Sequence, residues 1–581
     1  MHTTPFLAAV VQFEPMLGAK SSNIDQLLIL VEEAAQKGAK LITTPEMATT
    51  GYCWYDREEI APMVETIPGE STARFYELAQ RYQCYIVLGM PEVDIETSLY
   101  YNSAALIGPD GIIGCHRKSH PFIAEPKWAA AGEDHKVFDT PLGRIGLLVC
   151  MDIQFPETAT LLALEKVDVI CHISNWLMER TPAPFWINRA VENSCYLLES
   201  NRWGLERGVK FSGGSCIIEP DGNIAAVIDD GDGIAYAEID INRSRQGQVL
   251  GQPVFQQRRP ECYPLLMSDS FLWNPQKFFG LYGNKPLPDG KKSLISVAQF
   301  SPADNVDANL VKIINITESL VQKSSSELIV FPELALTGDY SRGHNAQDRQ
   351  SEAIIILTKL AMKLRVYLVI GLSEKQDGKL YNSQMLFGPQ GIEGSYHQIH
   401  LAIEQQSWAT AGNEWQTFDT PVGRIGLLLG NDALFPESSR ILALMGCDII
   451  ACSAALKKGF TGEHLGSNVL QNYPIPMGAD PIHWHLFRTR AGENNVYFVF
   501  ANTIDSENKN GGYSGIFGPE TFTFPRSERI LWQEEDYTSQ QIDTHSLPES
   551  AYPTNVVRRK DMLTMRHPSY YKPLIKKQIR S

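Results

Sequence analysis

Apolar residues along the chain come in two rhythms. Short unbroken runs bounded by turn residues, Leu7 to Gln12, Leu41 to Thr44 and Cys84 to Met90, predict buried strands, and Asn23 to Lys37 and Thr72 to Tyr82 space their apolar positions at helical period. Alternation of strand and helix predicts an α/β fold. Two hairpin signals follow: Gly108-Pro109-Asp110-Gly111 between Tyr101 to Ile107 and Ile112 to Lys118, and later Pro220-Asp221-Gly222. Hairpins inside such a pattern predict a mixed sheet, most simply two sheets packed face to face with helices outside.

The pattern then repeats. Ala9-Val10-Val11-Gln12-Phe13 returns as Ser296-Val297-Ala298-Gln299-Phe300, and Thr44-Pro45-Glu46 returns as Phe331-Pro332-Glu333, both 287 residues on. Phe138 to Leu148 returns as Phe418 to Leu428, now 280 residues on, and Arg189-Ala190-Val191-Glu192-Asn193 returns as Arg490-Ala491-Gly492-Glu493-Asn494, 301 residues on. The change of offset places an insertion of about twenty residues in the second copy, between Leu456 and His483. The closing segments also match, Arg259-Pro260-Glu261-Cys262-Tyr263 against His567-Pro568-Ser569-Tyr570-Tyr571. The expected organisation is therefore a first domain over 1–264, a Pro- and Gly-rich linker over 265–292, and a second domain over 293–581.

Composition narrows the function. With 581 residues, 43% apolar and 20% charged, the chain can bury several cores, and its net charge of −16 argues against a surface built on phosphate neutralisation. Nucleic acid is not an expected partner. No run approaches the roughly 18 apolar residues that cross a bilayer, and Phe6 to Phe13 lacks the flank of a signal peptide, so a cytoplasmic protein is expected. Ten cysteines are scattered without a Cys-x-x-Cys pair, and His116, His120 and His172 have no ligand-set spacing. Neither a disulfide framework nor a metal or other cofactor is expected.

One cysteine stands apart. Arg144 to Val149 reads as a buried strand that delivers Cys150 into the turn-like Met151-Asp152, a position where a nucleophile is exposed while neighbouring backbone N–H groups face a reacting carbonyl. A thiol near its ordinary pKa of about 8.5 needs a base, and Glu46 closes a short apolar strand. Lys118 closes a hairpin strand and offers a fixed cation to an oxyanion. Trp54, shortly after Glu46, and Trp176, at the end of an apolar strand, are positioned to line a pocket, with core packing the other role open to them.

Together these segments resemble the nitrilase superfamily of carbon–nitrogen hydrolases, over nearly the whole chain and twice. The glutamate after a proline, the His-Arg-Lys segment, the cysteine ahead of an Asp-containing stretch ending in Phe155-Pro156-Glu157, the Arg-Ala-x-Glu-Asn segment, Asn201 and Gly213-Gly214-Ser215 carry the resemblance. It implies tandem αββα sandwich domains and a Glu46, Lys118, Cys150 triad. In that scheme Glu46 takes the thiol proton, and Lys118 and the Met151 N–H stabilise the oxyanion. Glu125 matches the family's second glutamate, which positions substrate and orients the lysine.

At the corresponding positions the second copy has Gly430 for Cys150, Gln398 for Lys118 and Gln405 for Glu125, with Glu333 alone retained. A frame kept with its reagents replaced implies a degenerate hydrolase-like domain, serving as half of an intramolecular pseudo-dimer; a homo-oligomer is compatible with this. The expected activity is cleavage of a non-peptide C–N bond in a small carboxamide or N-carbamoyl compound through a Cys thioester. A nitrilase and a non-catalytic ligand-binding or scaffold protein are the alternatives. Met151-Asp152 after the cysteine is more similar to amidases, and the step from Lys118 to Glu125 and Trp128 to nitrilases.

Overall fold

The computed structural model describes residues 4–177, 182–269, 286–338, 345–456, 482–505, 510–523, 527–545 and 553–577. Most of the expected insertion, and 270–285 of the expected linker, lie outside the described residues. The chain divides into two compact units, the first built on Met1–Val249 and the second on Leu250–Thr461 and Leu486–Ser581.

In the first unit, β1 (Phe6–Gln12) pairs in parallel with β2 (Leu41–Thr43), and β2 in parallel with β3 (Tyr85–Val93). The antiparallel strands β4 (Tyr100–Gly108) and β5 (Gly111–Arg117) extend one edge through the hairpin at Gly108. Outside this sheet lie α1 (Lys20–Gln36) and, after the short α2 (Arg57–Ile60), α3 (Glu70–Tyr82). Leu27, Val31 and Ala34 of α1 and Phe75 and Ala79 of α3 pack on Ile42, Ile86 and Leu88. The 27/31/34 spacing is the helical stripe that the pattern predicts, and burying each large side chain contributes roughly 1.5–3 kcal/mol.

The second sheet contains β6 (Val137–Thr140), β7 (Gly143–Val149), β8 (Val169–Ser174) and β9 (Tyr196–Asn201), with β7, β8 and β9 parallel. A ribbon of β10 (Trp203–Glu206) and β11 (Val209–Ser212) stands apart. The second sheet continues through β12 (Cys216–Ile218) and β13 (Ile224–Val227), which flank the second hairpin, while β14 (Gly233–Ile239) returns to β1 in the first sheet. The orders are β14-β1-β2-β3-β4-β5 and β13-β12-β9-β8-β7-β6. Polar bonds join the two inner faces: Ser200 Oγ receives Val11 N–H at 3.2 Å and lies 2.6 Å from Thr43 Oγ1. With α4 (Pro156–Leu164) and α5 (Pro184–Asn193), the unit is an αββα sandwich.

Two expectations shift in detail. The first helix begins at Lys20 rather than Asn23. Asn23 lies inside the first turn, and its amide binds Met16 N and O at 2.8 Å and Thr49 O at 3.2 Å, tying the preceding loop to the segment that carries Glu46. Similarly α3 begins two residues before Thr72, whose hydroxyl accepts from Gly69 N–H at 2.8 Å.

The second unit repeats both six-stranded sheets, with Lys292–Gln299, Leu328–Val330 and Tyr367–Gln376 central in one and Gly423–Leu429, Ile449–Ala454 and Tyr497–Asn502 in the other. It also takes in the segment that closes the first copy. Tyr263 Oη lies 2.6 Å from His400 Nε2, Trp415 Nε1 donates to Cys262 O at 2.8 Å, and the buried Arg258 pairs with Glu437 at 2.7 Å. Among the described residues no helix is long and apolar enough to cross a membrane.

Candidate active site

Four strand ends converge in the first unit. Glu46 follows β2, Lys118 follows β5, Cys150 follows β7 and Asn175 follows β8. β3 runs so close beneath Glu46 that a Cβ on Gly89 would come within 2.1 Å of Pro45 O and 2.9 Å of Glu46 Cα, a space only glycine leaves open. Gly371 stands in the same relation to Pro332 and Glu333.

Lys118 Nζ sits between two carboxylates, 2.8 Å from Glu46 Oε1 and 2.6 Å from Glu125 Oε1, and all three side chains are at least 98% buried. Burial alone would lower the lysine pKa, but the charges of Glu125 and Glu46 outweigh it and hold the ammonium well above its ordinary value. Burial raises the Glu125 carboxyl against the pull of Lys118. Asn102 Nδ2 donates to Glu46 Oε1 at 2.6 Å, Asn175 Nδ2 donates to Glu46 Oε2 at 2.9 Å, and Tyr52 Oη donates to Glu125 Oε1 at 2.6 Å. Glu46 is thereby fixed by three donors.

Cys150 is 7% exposed and has φ 47°, the left-handed region that costs a non-glycine residue roughly 1–3 kcal/mol. Its thiol lies within the field of Glu46, Lys118 and Glu125 and receives the Asn175 backbone N–H. Burial pushes the thiol pKa well above the ordinary cysteine value, Glu46 adds to the rise, and Lys118 opposes it. At neutral pH the sulfur therefore carries its proton. Met151 is buried in the 3-10 turn Cys150–Gln154.

Two buried groups hold this turn. Asp152 Oδ1 accepts from Ser119 N at 3.0 Å and His120 N at 2.9 Å, while Oδ2 accepts from Val149 N at 3.1 Å and lies 2.8 Å from His116 Nε2. It thus ties the strand end that carries Cys150 to the one that carries Lys118. Burial would raise its pKa, but the bonds from His116 and His120 hold it well below the usual carboxylate range. From α5, Arg189 Nε donates to Ile153 O at 2.9 Å.

Of the residues singled out in the sequence, Glu46, Lys118, Glu125, Cys150 and Met151 come together. Trp54 packs with Met47, Ile60 and Trp128, and its N–H donates to Gly51 O at 2.9 Å. Trp176 lies edge-on to His172 and Trp186, with ring centres 6.3 and 5.3 Å away. Tyr52, Asn102 and Asn175 were not singled out. Asn175 carried no local signal, since it is 129 residues from Glu46 and meets it only across the sheets.

In the second unit Glu333 accepts from Asn382 Nδ2 at 2.7 Å and Gln405 Nε2 at 2.6 Å, and Asn382 also donates to Gln398 Oε1 at 2.7 Å. A Cβ on Gly430 would stand 2.8 Å from Glu333 Oε2, so the carboxylate reaches into the space a nucleophile's side chain would take. Burial, with the charge of Asp432, pushes Glu333 up to about 7.

A family model described as carbon–nitrogen hydrolase matches residues 7–248 and again 294–549. Among curated proteins, a nitrilase of Pyrococcus abyssi is 36% identical over 259 residues, 44% of this chain and 98% of the relative. Human omega-amidase NIT2 is 29% identical over 280 residues, 45% of this chain and 99% of the relative. Among solved structures, a carbon–nitrogen hydrolase from Helicobacter pylori matches at 26% identity and a TM-score of 0.41, covering 45% of this chain and 97% of that one.

Proposed function

Because the chain belongs to the carbon–nitrogen hydrolase family, we propose that its first repeat hydrolyses a small carboxamide or N-carbamoyl compound, with Cys150 as nucleophile, Glu46 as proton acceptor and Lys118 with the Met151 N–H as oxyanion donors. The observation that carries this reading is the Lys118 ammonium held between two buried carboxylates beside a strained cysteine.

The thiol starts protonated, so attack and deprotonation are coupled. Glu46, fixed by Lys118, Asn102 and Asn175, takes the proton as sulfur attacks the amide carbon. Charge then develops on the carbonyl oxygen, where Lys118 and the N–H of Met151 stabilise it. Glu46 returns the proton to the departing ammonia or amine, leaving a thioester on Cys150, and water repeats the sequence to release the acid. Glu125, braced by Tyr52, keeps the ammonium in place.

The similarity to the Pyrococcus abyssi nitrilase makes a nitrile the second candidate substrate. Mass analysis of Cys150 after brief exposure to matched amide, N-carbamoyl and nitrile compounds, with ammonia release followed in parallel, tests both. An acyl adduct on Cys150 from the amide or N-carbamoyl compound, lost in Glu46→Gln, is expected. Adducts and ammonia from the nitrile alone would overturn the amidase reading, and no adduct from any compound would overturn the hydrolytic one.

A further inference from the structure

Behind the Cys150 turn lies a buried pair that the proposed chemistry does not use. His172 on β8 and Glu199 on β9 are register partners in the second sheet. His172 Nδ1 meets Glu199 Oε2, Ser174 Oγ donates to Glu199 Oε1, and His172 Nε2 lies 3.0 Å from the backbone oxygen of Cys150. A carbonyl oxygen only accepts, so Nε2 carries a hydrogen and is occupied. His172 is therefore not placed to take the thiol proton. One further proton is shared between Nδ1 and the Glu199 carboxyl, and the pair has the same total charge wherever that proton rests. The rings of Trp176 and Trp186 stand edge-on to the imidazole, with ring centres 6.3 and 6.1 Å away.

The peptide that His172 holds is the one that ends in the Met151 N–H. Among the described residues the one cis peptide is Ile67–Pro68, so the Cys150–Met151 bond is trans, and its C=O and N–H point in opposite directions in one plane. A donor fixed on the oxygen from behind sets the direction of the N–H in front. It also polarises the amide, which makes that N–H a stronger donor.

The second repeat is a built-in comparison. There the register partners are Cys452 and Phe500, at the positions of His172 and Glu199. Gly430, at the position of Cys150, does not take the left-handed φ, although glycine adopts it most easily. The histidine–glutamate pair and the strained turn occur together in one copy and are absent together from the other.

We propose that His172, held by Glu199, is a positioning residue that aims and strengthens the Met151 N–H as an oxyanion donor. This rests on the reading of Cys150 as nucleophile and deepens it.

The test uses the full chain carrying H172C/E199F, the pair that the second repeat already packs in the same register. Two rates are compared: turnover of the amide that wild type hydrolyses, and alkylation of Cys150 by iodoacetamide, followed by peptide mass. Displacement of iodide at a saturated carbon forms no oxyanion. The expected result is a fall in kcat of about tenfold to a hundredfold, less than the roughly 10²–10³-fold loss for deleting such a donor outright, with KM and the alkylation rate within about twofold. Should the double variant fold poorly, two single variants decide. His172→Gln keeps a donor toward the Cys150 carbonyl and should retain most of kcat, while His172→Asn reaches only Glu199 and should be as slow as the double variant. Unchanged kcat in the double variant, alkylation falling in step with kcat, or equal kcat in His172→Gln and His172→Asn would overturn the proposal. A wild-type Cys150 that forms no acyl adduct and alkylates no faster than the other nine cysteines would instead sink the nucleophile assignment, and this inference with it.

Discussion

At the scale of single residues, the two repeats place a buried glutamate in opposite surroundings. Glu46 faces a lysine, whereas Glu333 is held by the neutral amides of Asn382 and Gln405 and has its pKa pushed up to about 7 by burial and the charge of Asp432. An unfolded glutamate titrates near 4.3, so folding raises this group's proton affinity. Its contribution is fully present below about pH 4.3 and is lost as pH rises through about 7, an effect of about 4 kcal/mol at most. Glu333→Gln should flatten that dependence, gaining stability relative to wild type at pH 8 but not at pH 4. Chemical denaturation at the two pH values checks it, and parallel curves for the two proteins would contradict it. Lys118→Met creates the same situation in the first unit by leaving Glu46 and Glu125 facing each other. Breaking such a buried pair costs roughly 3–5 kcal/mol. With the cation gone, the two buried carboxylates repel each other when both are ionised, so the deficit should grow from pH 5 to pH 8 in the same assay. A deficit independent of pH would mean that lost packing, not charge, explains the loss.

Elements convert these side chains into a site, and their legibility in the sequence was uneven. The strands, the hairpins and the duplication were readable because burial writes periodicity into the chain. Glu46, Lys118 and Cys150 were readable because each closes a strand, where a fixed backbone can present a reagent. Asn102 and Asn175 were not, since nothing local says which strand of the other sheet a residue will oppose. His172 sat in an apolar run without ligand-set spacing, and only the β8–β9 register reveals Glu199 beside it. Trp54 could be placed near Glu46 by sequence, but its direction is set by the cluster around Met47 and Trp128. Asp152 and Asp432 show what the shared frame requires. Asp152 joins the ends of β5 and β7, and Asp432 likewise accepts from His400 N at 2.8 Å and Tyr396 Oη at 2.8 Å. Asp152→Asn and Asp432→Asn should each destabilise their own unit by about 2–3 kcal/mol, the scale of a lost hydrogen bond to a buried charge. Activity should fall steeply only in Asp152→Asn, because only that tie aligns a lysine with a cysteine. Equal losses of kcat in the two variants would mean that the second unit's strand ends also matter to turnover.

For the molecule as a whole, the closing segments of the two copies are exchanged reciprocally. Arg258 Nη2 donates to Leu574 O at 2.8 Å, and Arg566, the equivalent arginine, donates through Nη2 to Leu266 O at 2.5 Å, Leu266 and Leu574 being themselves equivalent positions. Contact of i with j matched by j with i is the mark of a two-fold relation, here between segments of one chain. All four residues belong to the second compact unit, so that unit includes the end of the first repeat. Arg258 also pairs with Glu437, which is itself buried and would be left as an unpaired carboxylate without it. Arg258→Met should therefore cost the second unit roughly 3–5 kcal/mol. With two units, heat denaturation need not follow a single transition, and calorimetry can separate them. The expected scan of Arg258→Met shows the transition of the second unit moved down by several degrees and that of the first unit unmoved. A single transition displaced as one would show that the units melt cooperatively, with residues 250–268 stabilising the entire chain rather than the unit in which they are packed.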